Sequence, residues 1–171
     1  QFTRIQPPGL ILTKLVDAYS VEALKAKARR LGYMSTERTL PNGTIQLGSN
    51  ASFQGGSLTY TGTGETTDRV LNLGGANGTT YTLDQSGTGV LKFLSNFTIT
   101  DNRGPKTIIL QGSTAGSGEM AGALPAGDAA NPNRLTKSGT GTWALSGANS
   151  YAGVTTLNAG VLSASTISDG G

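Results

Sequence analysis

Residues 135–162 read LTKSGTGTWALSGANSYAGVTTLNAGVL, and the rest of the chain follows the pattern of this stretch. Three short β-prone runs, at residues 135–138, 142–146 and 154–157, alternate with turns rich in Gly, Asn and Ser. Such runs, bounded by such turns, are typical of strands, and they are too short for helices. The stretch therefore predicts short strands that are joined by tight corners.

The beginning of this stretch recurs upstream in three segments that also end in glycine. The four segments are LTYTG at 58–62, LDQSG at 83–87, IILQG at 108–112 and LTKSG at 135–139. Their final glycines recur at a nearly constant spacing of roughly 25 residues, which is the signature of a stacked repeat architecture. We therefore predict an all-β fold, a β-solenoid in which this spacing is the length of one coil.

Within each predicted coil, a Gly-x-Gly step leads into a second strand, at residues 70–73, 90–94 and 142–145. Because the step recurs between strands with no helix after it, it indicates a corner and not a phosphate-binding loop. Residues 113–133, rich in Gly, Ala and Pro, are predicted to loop out of the stack. The aromatic residues Phe93, Phe97, Trp143 and Tyr151 are interpreted as core, with a sugar-binding platform as the alternative.

Three blocks in residues 135–162 also carry a family resemblance. LTKSGTG at 135–141, LSGANSYAG at 145–153 and TTLNAGVL at 155–162 resemble, in this order, the passenger-associated repeat of bacterial autotransporters, also called the autotransporter-associated β-strand repeat. The resemblance is looser over residues 58–124. It implies a right-handed parallel β-helix, an extracellular or cell-surface location, and structural or adhesive work. It supplies no catalytic residues.

The composition excludes several kinds of chemistry. The 171 residues contain no Cys and no His, so disulfides, thiol nucleophiles, thiolate or imidazole zinc sites and His-based triads are excluded. Of the ten acidic residues, only Glu65 and Asp68 are close in sequence, and Asp101 is interpreted as part of a turn. We therefore expect no enzyme activity, no metal and no cofactor. A glycan-active enzyme on the same fold is the competing class.

Residues 1–41 are predicted to form a separate N-terminal segment, and residues 42–171 a solenoid of about five coils. Residues 21–31 predict one amphipathic helix, with Gly32 at its C-terminal end. The basic residues of this helix are Lys25, Lys27, Arg29 and Arg30. Binding to an anionic surface is an alternative, but a solvated face is the ordinary interpretation, and we expect no nucleic-acid partner. No apolar run is long enough for a transmembrane segment.

The last predicted strand, residues 161–167, is β-prone and uncharged, and no capping sequence follows it. Because unpaired strand edges must be capped or paired, we predict a head-to-tail contact with residues 10–16 or the first coil of another copy, which would propagate as a filament. The residues of this predicted interface are Leu10, Ile11, Leu12, Leu15, Val16, Val161, Leu162 and Ile167. The alternative is an adhesin-type fragment of a larger autotransporter that binds host or surface glycans. The expected partners are therefore another copy of the chain and surface polysaccharide.

Overall fold

The computed structural model describes residues 43–49, 54–75, 78–100 and 103–167. Within these ranges the regular secondary structure is entirely β, and it contains no helix. The strands are β1 (Ile45–Leu47), β2 (Ser57–Tyr60), β3 (Glu65–Thr67), β4 (Leu71–Leu73), β5 (Thr80–Gln85), β6 (Val90–Phe93), β7 (Thr98–Ile99), β8 (Thr107–Gly112), β9 (Ser117–Met120), β10 (Gly127–Asp128), β11 (Asn131–Pro132), β12 (Arg134–Lys137), β13 (Thr142–Leu145), β14 (Thr155–Leu157) and β15 (Val161–Ala164).

These strands stack into three parallel sheets. Sheet I has the order β2-β5-β8-β12-β14, sheet II the order β3-β6-β9-β13-β15, and sheet III the order β1-β4-β7. Within these three sheets, successive strands along the chain lie in different sheets, and each strand pairs with the strand one coil away; β10 and β11 pair only with each other. This connectivity is that of a parallel β-solenoid, as the sequence predicted.

Alternation of side chains along each strand builds the core. In β5, Tyr81 and Leu83 are fully buried, whereas Thr82 between them lies on the outer face. Because parallel strands stack in register, inward side chains form columns along the axis of the solenoid. One column in sheet I contains Leu58, Leu83, Leu110, Lys137 and Leu157. A column in sheet II contains Glu65, Leu91, Gly118, Trp143 and Leu162.

The three runs in residues 135–157 are confirmed as β12, β13 and β14. The aromatic residues Phe93, Phe97 and Trp143 are buried, which confirms them as core, whereas Tyr151 is only partly buried and packs against the core. The number of coils differs from the prediction: sheets I and II have five strands each, which gives about four complete turns and not five. The right-handed winding stays a prediction, and so does the N-terminal segment, whose predicted helix lies outside the described residues.

The register between β5 and β8 differs from the one that the glycine spacing predicted. The repeat places Ile108 beside Leu83, but the structure pairs Leu83 with Leu110, two positions further along the chain. Gly112 consequently pairs with Gln85 and not with Gly87. A shift of two residues keeps every side chain on the same face, so hydrophobic alternation cannot distinguish the two registers.

Two predicted boundaries are wrong. Residues 70–73 were expected to form the second strand of the first coil, but they contain β4, which belongs to sheet III. The second strand of that coil is β3. The polar sequence ETT of β3 has no apolar residue to mark it as a strand.

The predicted loop at 113–133 contains β9, an inner strand of sheet II, so only its second half leaves the stack. That half includes the antiparallel pair β10–β11, and the buried Asn133 anchors it by accepting a hydrogen bond from the Lys106 backbone N–H (3.0 Å).

Candidate functional site

The most distinctive surface is the side of the stack formed by β14 and β15, which we call the terminal face. Among the described residues, no strand pairs with the free edges of these two strands. Leu157 and Leu162 continue the inner columns, yet Leu157 is 59% exposed and Leu162 is only partly buried. Their counterparts Leu110 and Leu91 are buried in the coils below. The terminal face therefore presents core residues to solvent.

A cavity of about 350 Å³ opens at the terminal face. It is lined mainly by apolar side chains, and none of its lining residues carries a charge. The apolar side chains around it include Leu145, Leu157, Leu162, Ala164 and Ile167. Tyr151 also borders the cavity, and its hydroxyl lies 2.9 Å from the hydroxyl of Thr155. The lining of this cavity therefore favours contact with apolar groups over polar or charged ones.

The other side of the stack, which we call the opposite face, has a different character. A cavity of about 230 Å³ opens there beside Leu58, Leu91 and Phe93. Its lining also contains the exposed residues Glu65 and Arg69. Charged side chains therefore line the cavity of the opposite face but not the cavity of the terminal face.

Lys137 lies one layer below the terminal face, in the inner column that otherwise contains leucines. Its side chain is fully buried, and its ammonium group donates to the carbonyl oxygens of Ser138 (2.6 Å), Gly139 (2.9 Å) and Ala159 (3.2 Å). Burial lowers the pKa of the Lys137 ammonium, because the charged form loses hydration. Since Ala159 belongs to the next coil, this ammonium group links two coils.

On the outer faces of sheets I and II, polar side chains from neighbouring coils contact one another. Lys92 of β6 and Glu119 of β9 form an ion pair at 2.9 Å, and the Ser146 hydroxyl donates to the same carboxylate at 2.7 Å. The hydrogen bond from Lys92, followed by that from Ser146, lowers the pKa of Glu119. On sheet I, the Gln111 amide donates to Asp84 at 2.9 Å. These contacts are the ordinary pairing of neighbouring strands in a solenoid.

The acidic residues in the described part of the chain do not form a metal site. No group of three or more acidic residues there is placed to hold a metal ion. Asp84 stacks on Thr59 and Gln111, so no second carboxylate lies next to it in the stack. Asp101 lies outside the described residues.

Of the predicted interface residues, Leu162 and Ile167 line the cavity of the terminal face. Val161 is 54% exposed and alternates with Leu162 along β15, so its side chain points away from the core. The predicted set does not include Leu157 or Tyr151, although the recurrence of Leu at the inner position of successive coils indicates Leu157. The remaining predicted residues, at positions 10–16, lie outside the described residues.

Two comparisons find known sequences that are similar to parts of this chain. Residues 135–164 match the family model described as Passenger-associated-transport-repeat. This segment is therefore similar in sequence to the passenger-associated-transport repeat. Over 109 residues, 62% of its length, the chain is 39% identical to a protein described as Adhesin BmaC autotransporter from Brucella suis biovar 1 (strain 1330). No solved structure matches the chain.

The segment that matches this family model coincides with the last two layers of the stack, from β12 to β15. The matched segment covers 3% of the length of the Brucella adhesin. Both matches indicate an extracellular or cell-surface location, in agreement with the sequence prediction. In the part of the chain that the structure describes, no helix has the length and apolar character needed to span a bilayer.

Proposed function

We propose that the chain is a non-enzymatic structural segment of a bacterial surface adhesin, and that it serves as a rigid spacer. The observation that carries this proposal is the continuous hydrogen-bonded stack of five strands in each of two sheets, which ends in the passenger-associated-transport repeat. Each added layer lengthens such a rod by about 4.8 Å, so the number of coils sets its reach. The lack of a carboxylate or metal cluster among the described residues is consistent with a structural role.

A whole-coil deletion tests the spacer function. Leu83 pairs with Leu110, so removal of residues 83–109 deletes one complete coil and places Leu110 at the position that Leu83 occupied. We expect this variant to unfold cooperatively and to keep the emission of a buried Trp143, the single tryptophan of the chain. An adhesin that carries the shortened segment should still reach the cell surface and support adhesion.

Deletion of residues 83–96 is the matched control, because it removes about half a coil and breaks the register of all later layers. We expect loss of the buried Trp143 emission and of surface display in this control. If the whole-coil variant folds but adhesion is lost, the deleted coil contains a binding site. That outcome would favour the alternative, an adhesin segment that itself binds surface polysaccharide.

A second candidate function is self-assembly into surface filaments or a matrix. The exposed apolar residues of the terminal face favour it, since Leu157 and Ile167 (92% exposed) would be covered by a head-to-tail neighbour. In this arrangement, residues 10–16 or the first coil of another copy would pair with β15.

Sedimentation and negative-stain microscopy of the full chain, with and without residues 1–16, test the filament candidate. Filaments in the full chain and their loss in the truncated chain would support donation of a strand by residues 10–16. Filaments that survive the truncation unchanged would exclude this segment as the link. A chain that stays monomeric from micromolar to millimolar concentration would contradict the whole candidate.

A further inference from the structure

Two corners between sheets I and II have nearly the same sequence. The first, QSGTG, begins at Gln85, and the second, KSGTG, begins at Lys137. The next coil covers each corner with an Ala-Gly pair, at residues 115–116 over the first and at residues 159–160 over the second. We call them the Gln85 corner and the Lys137 corner. Because they differ in one side chain, the contacts of the two side chains can be compared directly.

The Lys137 corner holds a positive charge among main-chain oxygens. Its ammonium nitrogen lies beside the carbonyl oxygens of Gly139 and Gly141, and a Cβ atom on Gly160 would overlap all three atoms. The ammonium group donates to the carbonyl oxygen of Gly139 in its own corner and to that of Ala159 in the covering coil. All of these oxygens are uncharged. The space between the corner and the covering coil therefore suits a compact cation.

The Gln85 corner surrounds its side chain with the same groups. A Cβ atom on Gly116 would overlap the carbonyl oxygens of Gly87 and Gly89 and also the amide nitrogen of Gln85, which corresponds to the ammonium nitrogen in the other corner. Gln85 is only 1% exposed, and its Nε2 donates to the Gly89 carbonyl oxygen. Its Oε1 accepts no hydrogen bond from the residues that the structure describes. A buried acceptor without a donor is unfavourable, and coordination to a cation would satisfy it.

We propose that the Gln85 corner binds one monovalent cation, which joins two coils as the ammonium group of Lys137 does in the other corner. The ligands are the carbonyl oxygens of Gly87 and Gly89 and the side-chain oxygen of Gln85. Rotation of the amide by half a turn exchanges its nitrogen and its oxygen, so that the oxygen faces the carbonyl groups. The carbonyl group of Ala115 is the counterpart of that of Ala159. This site is separate from the proposed spacer function.

The uncharged ligands decide the class of ion. Main-chain carbonyl oxygens can replace the hydration shell of an ion such as K⁺. Divalent ions are usually held by carboxylates, and the carboxylate that is next in sequence, Asp84, lies on the outer face, where it accepts from Ser86 and Gln111. The corner therefore favours a monovalent ion over Ca²⁺ or Mg²⁺.

Unfolding of the full chain in KCl, NaCl and choline chloride at equal ionic strength tests this site. Choline is too large for the space, so it supplies charge screening without binding. We expect K⁺ or Na⁺ at about ten times its dissociation constant to raise the unfolding temperature by about 3–6 °C over choline. Gln85→Lys supplies its own ammonium group, so it should unfold at the higher temperature in all three salts. Gln85→Met, which has no oxygen, should unfold at the lower temperature in all three.

Diffraction from crystals of the unmodified chain that contain thallium(I), a strongly scattering substitute for K⁺, locates the ion directly. We expect an anomalous peak between Gln85 and Gly116 in the unmodified chain and no peak there in Gln85→Lys. Equal unfolding temperatures of the unmodified chain in the three salts would overturn the proposal. So would a salt effect that both variants retain, since the ion would then bind elsewhere, and so would an ordered water molecule in the corner in place of thallium.

Discussion

Replacement of Trp143 by alanine is expected to lower the free energy of unfolding by about 3–5 kcal/mol, the usual cost of removing a large aromatic side chain from a core. The indole is fully buried between Gly118 and Leu162 in the inner column of sheet II. Its N–H donates to the carbonyl oxygen of Gln111 at 2.8 Å, so the substitution also leaves this acceptor without its donor. Urea unfolding followed by circular dichroism measures the change, since the variant contains no tryptophan.

Gly118 provides a matched test of the same packing. A Cβ atom at Gly118 would clash with the ring of Trp143, because the indole occupies the space of the missing side chain. Gly118→Ala should therefore cost about 1–3 kcal/mol by overpacking. In a Trp143→Leu background, the same change should cost little, because the smaller side chain leaves room for the new methyl group. Equal costs in both backgrounds would show that the two residues are not coupled.

Replacement of Lys137 by methionine is the other change with a large expected effect. The ammonium group donates to three main-chain carbonyl oxygens, and methionine fills the column but donates to none of them. Because hydrogen bonds from a charged donor contribute about 1.5–3 kcal/mol and these three are partly buried, we expect a loss of about 2–3 kcal/mol at neutral pH. Lys92→Met is the control: this lysine lies on the outer face in a partly exposed ion pair, so the loss should be at most about 1 kcal/mol.

The pH dependence distinguishes the Lys137 effect from a general packing defect. Burial lowers the pKa of Lys137 in the folded state, so in the window between that pKa and the ordinary value of 10.5 the unfolded chain binds more protons. The contribution of Lys137 to stability therefore rises as the pH rises through this window. We expect the difference in stability between the unmodified chain and the Lys137→Met variant to grow with pH in the alkaline range. A difference that is constant with pH would contradict the assignment.

Several features of the fold could be predicted from particular residues. The recurring inward leucines and the Gly-x-Gly corners indicate a solenoid, because a repeated strand-and-corner unit can bury its apolar side only against the next unit. The three short runs around Trp143 predict strands β12 to β14 to within one residue at every boundary. The strand β3 could not be predicted, since its residues Glu65 to Thr67 are polar and its pairing with β6 depends on the adjacent layer.

The candidate site could be predicted only in part. The uncharged sequence of residues 161–167 indicates an uncovered edge, and Leu162 and Ile167 lie at the resulting cavity. Nothing in the sequence indicates that the last coil is short: β13 and β15 pair Thr142 with Val161, 19 residues apart, whereas β9 and β13 pair Ser117 with Thr142, 25 residues apart. The pairing of strands from different layers also decides that the charged Glu65 lies in the same column as the apolar Leu162. The sequence alone does not show this.

Local alternation, the repeat period and the types of residue present were sufficient to establish the class of fold, the inward and outward faces of the strands and the kinds of chemistry that are excluded. All three can be read along the chain without knowledge of which segments meet. The register between β5 and β8, the burial of Lys137 and the packing of Trp143 on Gly118 became known only from the three-dimensional arrangement. Registers that differ by two residues present the same faces, so the choice between them depends on how corners and side chains from different coils fit together.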